Sequence, residues 1–241
     1  MRHAATLLLC SALLFLVQPL YGRSLLPLLG GTPAVFTTCL VAFQTLYLGG
    51  VLCAHGLTRL PPRAQGWLFP ALLLLVGVAA PLTLPGDGPP PDADPTLWLL
   101  ATLARGVALP CLLLSATTPL LSRWAAQGGH AGYPLYRASN LGSLAGLLLQ
   151  PLLLEPLLTL QAQRAIFCGG FLLLAGLVAL CAPPAVAPPE RAKAAPSEPL
   201  RLAVAAGWVA WAALAASLLC GVTQHIATDV AALPLLWVLP L

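Results

Sequence analysis

Polar and apolar positions alternate along this chain in long blocks, not residue by residue. Apolar runs are separated by short turns rich in glycine, proline or arginine. A helix of about 20 apolar residues crosses the hydrocarbon core of a bilayer. Blocks of that order lie at residues 4–21, 34–55, 66–84, 96–121, 135–160, 165–182 and 202–222. An eighth opens at Thr228-Asp229, a helix-start pair, and runs to Leu241. It would rise only about 21 Å, short of the roughly 30 Å core. The pattern predicts an all-α polytopic transmembrane helix bundle with seven full spans and a truncated eighth, in a protein expected to continue past Leu241.

The connections sharpen this picture. Residues 22–33 carry Arg23 and the Gly30-Gly31 pair and are expected as a loop. Residues 85–95, PGDGPPPDADP, hold three aspartates and no basic residue; the spacing of a calcium loop is absent, so an exposed turn is expected. Residues 122–134 are expected as a polar loop, and Gln224-His225 as a turn. Residues 183–199 are proline- and alanine-rich with Glu190, Arg191, Lys193 and Glu198, which predicts a flexible cytoplasmic linker.

The fifth block is the most polar of the spans. It carries Asn140, Gln150 and Glu155, two prolines (Pro151 and Pro156), and glycines four apart at Gly142 and Gly146. At 100° per residue, Ser139, Ser143, Gly146 and Gln150 share one face, where small residues let another helix backbone come close. The prolines cannot donate to the carbonyls of Leu147 and Leu152, so the outer half should kink. A carboxylate at this depth should face protein or a wet cavity. Two readings stay open: a packed, kinked helix with a satisfied polar patch, or a substrate or proton site. Arg105 is the one basic residue placed well inside a span. It is expected to pair with Glu155 or to share a pocket with it, the alternative being that it snorkels to the outer headgroups.

Composition agrees. The chain is 59% hydrophobic and 7% charged, with mean hydropathy +0.90; a soluble domain carries about 25% charged residues. The net charge of +4 is scattered singly through short loops, which does not suit nucleic acid. With the N-terminus inside, Arg2, Arg59, Arg63, Arg123, Arg137, Arg191, Lys193 and Arg201 fall on the inner side and only Arg23 and Arg164 outside. That bias predicts a cytoplasmic N-terminus in a bacterial inner membrane.

The usual chemical signatures are missing from the sequence. There is no Walker loop, GxSxG, HExxH or CxxC, the four histidines have no metal spacing, and the seven cysteines lie in apolar runs as packing residues. No catalytic residue, metal ligand or cofactor is assigned. The candidate substrate-binding residues are Glu155, Asn140, Gln150 and Arg105.

Four stretches resemble a known family: residues 17–44 (VQPLYGRSLLPLLGGTPAVFTTCLVAFQ), 109–124 (LPCLLLSATTPLLSRW), 133–163 (YPLYRASNLGSLAGLLLQPLLLEPLLTLQAQ) and 224–241 (QHIATDVAALPLLWVLPL). They look like the membrane part of the bacterial fused major-facilitator/spermidine-synthase-like proteins. The resemblance implies a cytoplasmic aminopropyltransferase-like domain after the spans and lends no catalytic residue to these. Arg105 stands where the family reads small or apolar, and Arg137 where it reads alanine. The function expected is a transporter-like membrane domain for a small polar or cationic solute such as a polyamine. The alternative is a non-transporting anchor for the cytoplasmic domain.

Overall fold

The computed structural model describes residues 1–129, 132–183 and 202–229. Every element among them is helical. The chain divides into two units, Met1–Val186 and Ala187–Leu241. The first unit contains α1 (Arg2–Leu29), α2 (Pro33–Leu57), α3 (Pro62–Ala79), α4 (Pro95–Gly106), α5 (Ala108–Gln127), α6 (Gly132–Leu149), a π-helical turn (Gln150–Leu154), the short α7 (Glu155–Leu157) and α8 (Leu160–Leu180). The second contains α9 (Leu202–Asp229).

Among the described residues, five helices are long and apolar enough to cross a membrane: α1, α2, α3, α8 and residues Leu202–Val222 of α9. The count is six if α4 and α5, bent by 60° at their junction, form one span. The chain is a membrane protein with a helical bundle. The interrupted run from α6 to α7 is not among these helices. The expected eighth span beyond Asp229, and the expected linker beyond Pro183, lie outside the described residues.

Local chemistry sets the helix starts. Pro33, Pro62 and Pro95 stand at or next to the first helical position, where a missing N–H costs nothing. Asp94 Oδ1 accepts from the N–H groups of Thr96 and Leu97 at 2.8 and 2.9 Å, and Thr159 Oγ1 accepts from Ala162 N–H at 3.3 Å. α1 ends at Gly30, whose φ of 73° lies in the region that favours glycine.

Several boundaries differ from those expected. α1 does not stop near Tyr21 but runs to Leu29, because Ser24 and Leu25 are buried in a further turn and Pro19 and Pro27 are absorbed. α5 likewise continues through Gln127, shortening the loop expected at 122–134. The expected third span loses its last residues: α3 stops at Ala79, and residues 81–94 are irregular. The fourth span is two helices, since Pro110 cannot donate to the carbonyl of Gly106. Gln224-His225 is no turn, and Thr228-Asp229 no helix start; both pairs lie within α9, with no glycine or proline between Val222 and Asp229 to interrupt it.

α1 is the central post of the first unit. Half of its most apolar window is buried, against 22% for α2. Its packing partners are α5, α6 and α8. The glycines of α6 do what their spacing suggests: a Cβ on Gly142 would overlap Leu8 O, and one on Gly146 would overlap Ala12 O. Ser11 and Ser139 hydroxyls bond across the same seam at 2.7 Å. α2 meets α5 the same way, with Gly50 against Leu112 O.

Candidate functional site

Both broken helices fail at the same level of the bundle, and their breaks are tied to each other through α1 and α8. Pro110 leaves the Gly106 carbonyl without its helical donor, and the Thr83 N–H from the irregular connection supplies one at 3.1 Å. Tyr21, fully buried on α1, donates its hydroxyl to Thr102 O at 3.0 Å. Gly106 lies so close to Tyr21 Oη and Thr83 O that a Cβ there would overlap both. The first break therefore docks on α1 at Tyr21.

The second break docks two residues further along. Pro151 and Pro156 are five apart, the π hydrogen-bond repeat, and the chain adopts a π turn between them, closed by Glu155 N–H to Gln150 O. Arg23 Nη1 donates to Glu155 O at 3.1 Å, and its Nε stands 3.6 Å from Glu155 Oε1. Residues two apart on a helix point about 200° apart, so Tyr21 and Arg23 serve opposite sides of α1.

The first turn of α8 completes the layer. Gln163, fully buried, donates from Nε2 to Leu154 O at 3.0 Å and to Leu158 O at 2.9 Å, carbonyls at the end of the interrupted helix. Its Oε1 accepts from Gln150 Nε2 at 2.7 Å. The next residue, Arg164, donates from Nη1 to Leu82 O at 3.2 Å, beside the Thr83 that bonds Gly106. A polar layer thus runs from Tyr21 through the α4–α5 break, residues 82–83, Arg164, Gln163 and the π turn to Arg23.

Two polar atoms in this layer are buried with no hydrogen-bond partner among the described residues: Gln150 Oε1 and Arg164 Nε. The orientation of the Gln150 amide is set by its neighbours. Gln163 Nε2 is committed to two carbonyls, so Gln163 must present its oxygen to Gln150, and Gln150 must present its nitrogen back. The free Gln150 atom is therefore an acceptor.

Of the four candidate residues read from the sequence, the structure brings two together. Gln150 and Glu155 are joined by the π turn. Asn140 is exposed on α6 and lies about 15 Å along the axis from Gln150. Arg105, in the last turn of α4, is also exposed. The expected Arg105–Glu155 pair is corrected: the cation beside Glu155 is Arg23. The cause is the length of α1, which carries Arg23 in helix where a loop was expected.

Sequence reasoning missed Tyr21, Arg23, Gln163 and Thr83. Arg23 had a signal: it is followed by SLLPLL, apolar enough to prolong the helix. Gln163 had none beyond its place four residues after the Thr159 cap, since glutamine is mostly exposed. No family model, curated protein or solved structure matches the chain.

Proposed function

We propose that the chain is a transporter-like membrane domain that handles a small polar or cationic solute, polyamines included. The observation that carries this reading is the convergence of two interrupted helices on one polar layer around α1. Interrupted helices expose backbone groups at depth, and membrane transporters use such breaks as binding and gating elements. In this reading α4–α5 is one span and α6–π–α7 another, giving seven spans through Asp229. The N-terminus is cytoplasmic, in a bacterial inner membrane, and the polar layer lies toward the outer side. The resemblance to spermidine-synthase-like fusions adds a cytoplasmic aminopropyltransferase-like partner domain to the proposal.

The test is uptake of labelled 1,4-diaminobutane and spermidine by proteoliposomes of the full-length protein. Uptake that Glu155→Gln abolishes at unchanged abundance supports the reading; no uptake of either amine overturns it. Reporter fusions after Arg63, Arg123 and Lys193 should report cytoplasm and a fusion at Asp92 the outside. A cytoplasmic signal at Asp92 rejects the orientation.

One observation favours the second reading, a non-transporting anchor. The carboxylate of Glu155 already stands beside Arg23, and the α1–α6 seam is closed by backbone contact.

A further inference from the structure

The π turn changes which side chains share a side. In an α-helix, residues five apart point about 140° away from each other. The bond from Glu155 N–H to Gln150 O instead sets residue 155 one turn above residue 150, much as residues four apart stack in an α-helix. Both positions carry acceptors in want of a donor. Gln150 Oε1 is fully buried and unpartnered among the described residues. The Glu155 carboxylate accepts no hydrogen bond among the described residues: the closest cation atom, Arg23 Nε, is 3.6 Å away, beyond hydrogen-bond reach, and the short contact of Arg23 goes to the backbone oxygen. The Glu155 side chain is 41% exposed and that of Arg23 29%. The carboxylate can thus be approached, and Arg23 meets it as an ion pair without a hydrogen bond, its donor going to the Glu155 carbonyl.

We propose that the π turn is a binding site for a primary ammonium group, with Gln150 Oε1 and the Glu155 carboxylate as its acceptors and Arg23 as a tethered competitor for the same place. An ammonium offers three N–H donors and one positive charge. It can satisfy the amide oxygen and the carboxylate together, whereas Arg23 donates one hydrogen bond, to Glu155 O, and none to the carboxylate. Gln150 is fully buried in this conformation, so binding requires the turn to open; in this proposal it opens as Arg23 leaves Glu155 O. The site rests on the solute-handling reading, and names the chemistry of the group it recognises.

The experiment is equilibrium binding by the full chain in nanodiscs, with n-butylammonium as the probe and tetramethylammonium and sodium as comparisons at equal ionic strength. Tetramethylammonium keeps the charge and has no N–H. The wild-type protein should bind n-butylammonium at least about tenfold more tightly than tetramethylammonium, a charge-assisted hydrogen bond being of that order. Gln150→Leu should weaken n-butylammonium about tenfold, and Arg23→Gln should tighten it by a similar factor. A purely structural Arg23–Glu155 pair yields no gain on losing Arg23. If Arg23→Gln is not monodisperse, Arg23→Met, which keeps an unbranched apolar stem and removes the charge, should still bind more tightly than wild type. Equal affinity for the two ammonium ions, or no gain in a folded Arg23 variant, overturns the site. Binding as expected with no transport retires the solute-handling reading and keeps the site. Transport indifferent to Gln150→Leu and Arg23→Gln retires the site and keeps that reading.

Discussion

Two of the three glutamines buried among the described residues, Gln65 and Gln150, lie at opposite ends of the bundle and are treated very differently. Gln65, near the start of α3, is 2% exposed; its Oε1 accepts from Trp124 Nε1 at 2.9 Å, and its Nε2 donates to Leu60 O at 2.7 Å. Both ends of the amide are used, and the side chain joins the α2–α3 turn to the far end of α5. Gln150 is just as buried, and only its nitrogen is used. A buried polar group left without a partner costs about 1–3 kcal/mol. The same residue type therefore closes one end of the bundle as a finished joint and leaves the other with an acceptor in reserve, next to a proline-broken helix and a half-exposed carboxylate. Burial alone does not separate a structural glutamine from a functional one. The count of satisfied atoms does.

The largest effect is expected at Gln163, which holds the open joint together. Gln163→Leu frees Leu154 O, Leu158 O and Gln150 Nε2 at once, so unfolding of the detergent-solubilised protein should become easier by about 3 kcal/mol or more, from several lost buried bonds. A loss below about 1 kcal/mol would mean the layer is not a structural unit. Next comes Gln65→Leu at the finished joint, where Trp124 Nε1 and Leu60 O lose their partner. About 2 kcal/mol is expected on the same measure, together with a changed Trp124 emission. Gln150→Leu should cost least of the three, within about 1 kcal/mol of wild type, since it removes one orphan acceptor while creating another at Gln163 Oε1. A cost equal to that of Gln65→Leu would erase the distinction between the two ends. Smallest is the coupling in a double-mutant cycle of Arg23→Leu and Glu155→Leu, expected at no more than about 1 kcal/mol, because both side chains are partly exposed and the charges do not share a hydrogen bond.

Much of the bundle was legible in advance, for a physical reason. Bilayer thickness imposes a length on every apolar run, so α2, α8 and the apolar part of α9 were placed within a few residues. A disturbance of the helix after α6 and the glycine seam were also readable, because proline removes a donor and Gly142 and Gly146 share a face whatever surrounds them; that the disturbance is a π turn was not. The partner of Glu155 was not. Choosing between Arg105 and Arg23 required knowing where α1 ends, and arginine after Tyr21-Gly22 reads as a loop signal unless the following SLLPLL is weighed as helix. The polar layer was hidden for a second reason. Its glue is largely backbone: the carbonyls of Thr102, Gly106, Leu82, Leu154 and Leu158 carry no identity that a sequence displays.

The central position of α1 also sets a schedule. Leu8 and Ala12 meet Gly142 and Gly146, and Ser11 meets Ser139, so α1 docks on a partner made well over a hundred residues later. At roughly 5–20 residues per second, α1 waits on the order of ten seconds in the membrane with its packing face bare. During that wait nothing but lipid, insertion machinery or a chaperone can cover the seam. Slowing elongation before residue 142 should therefore lengthen the interval in which α1 is open to misassociation or proteolysis, with no change in the finished protein.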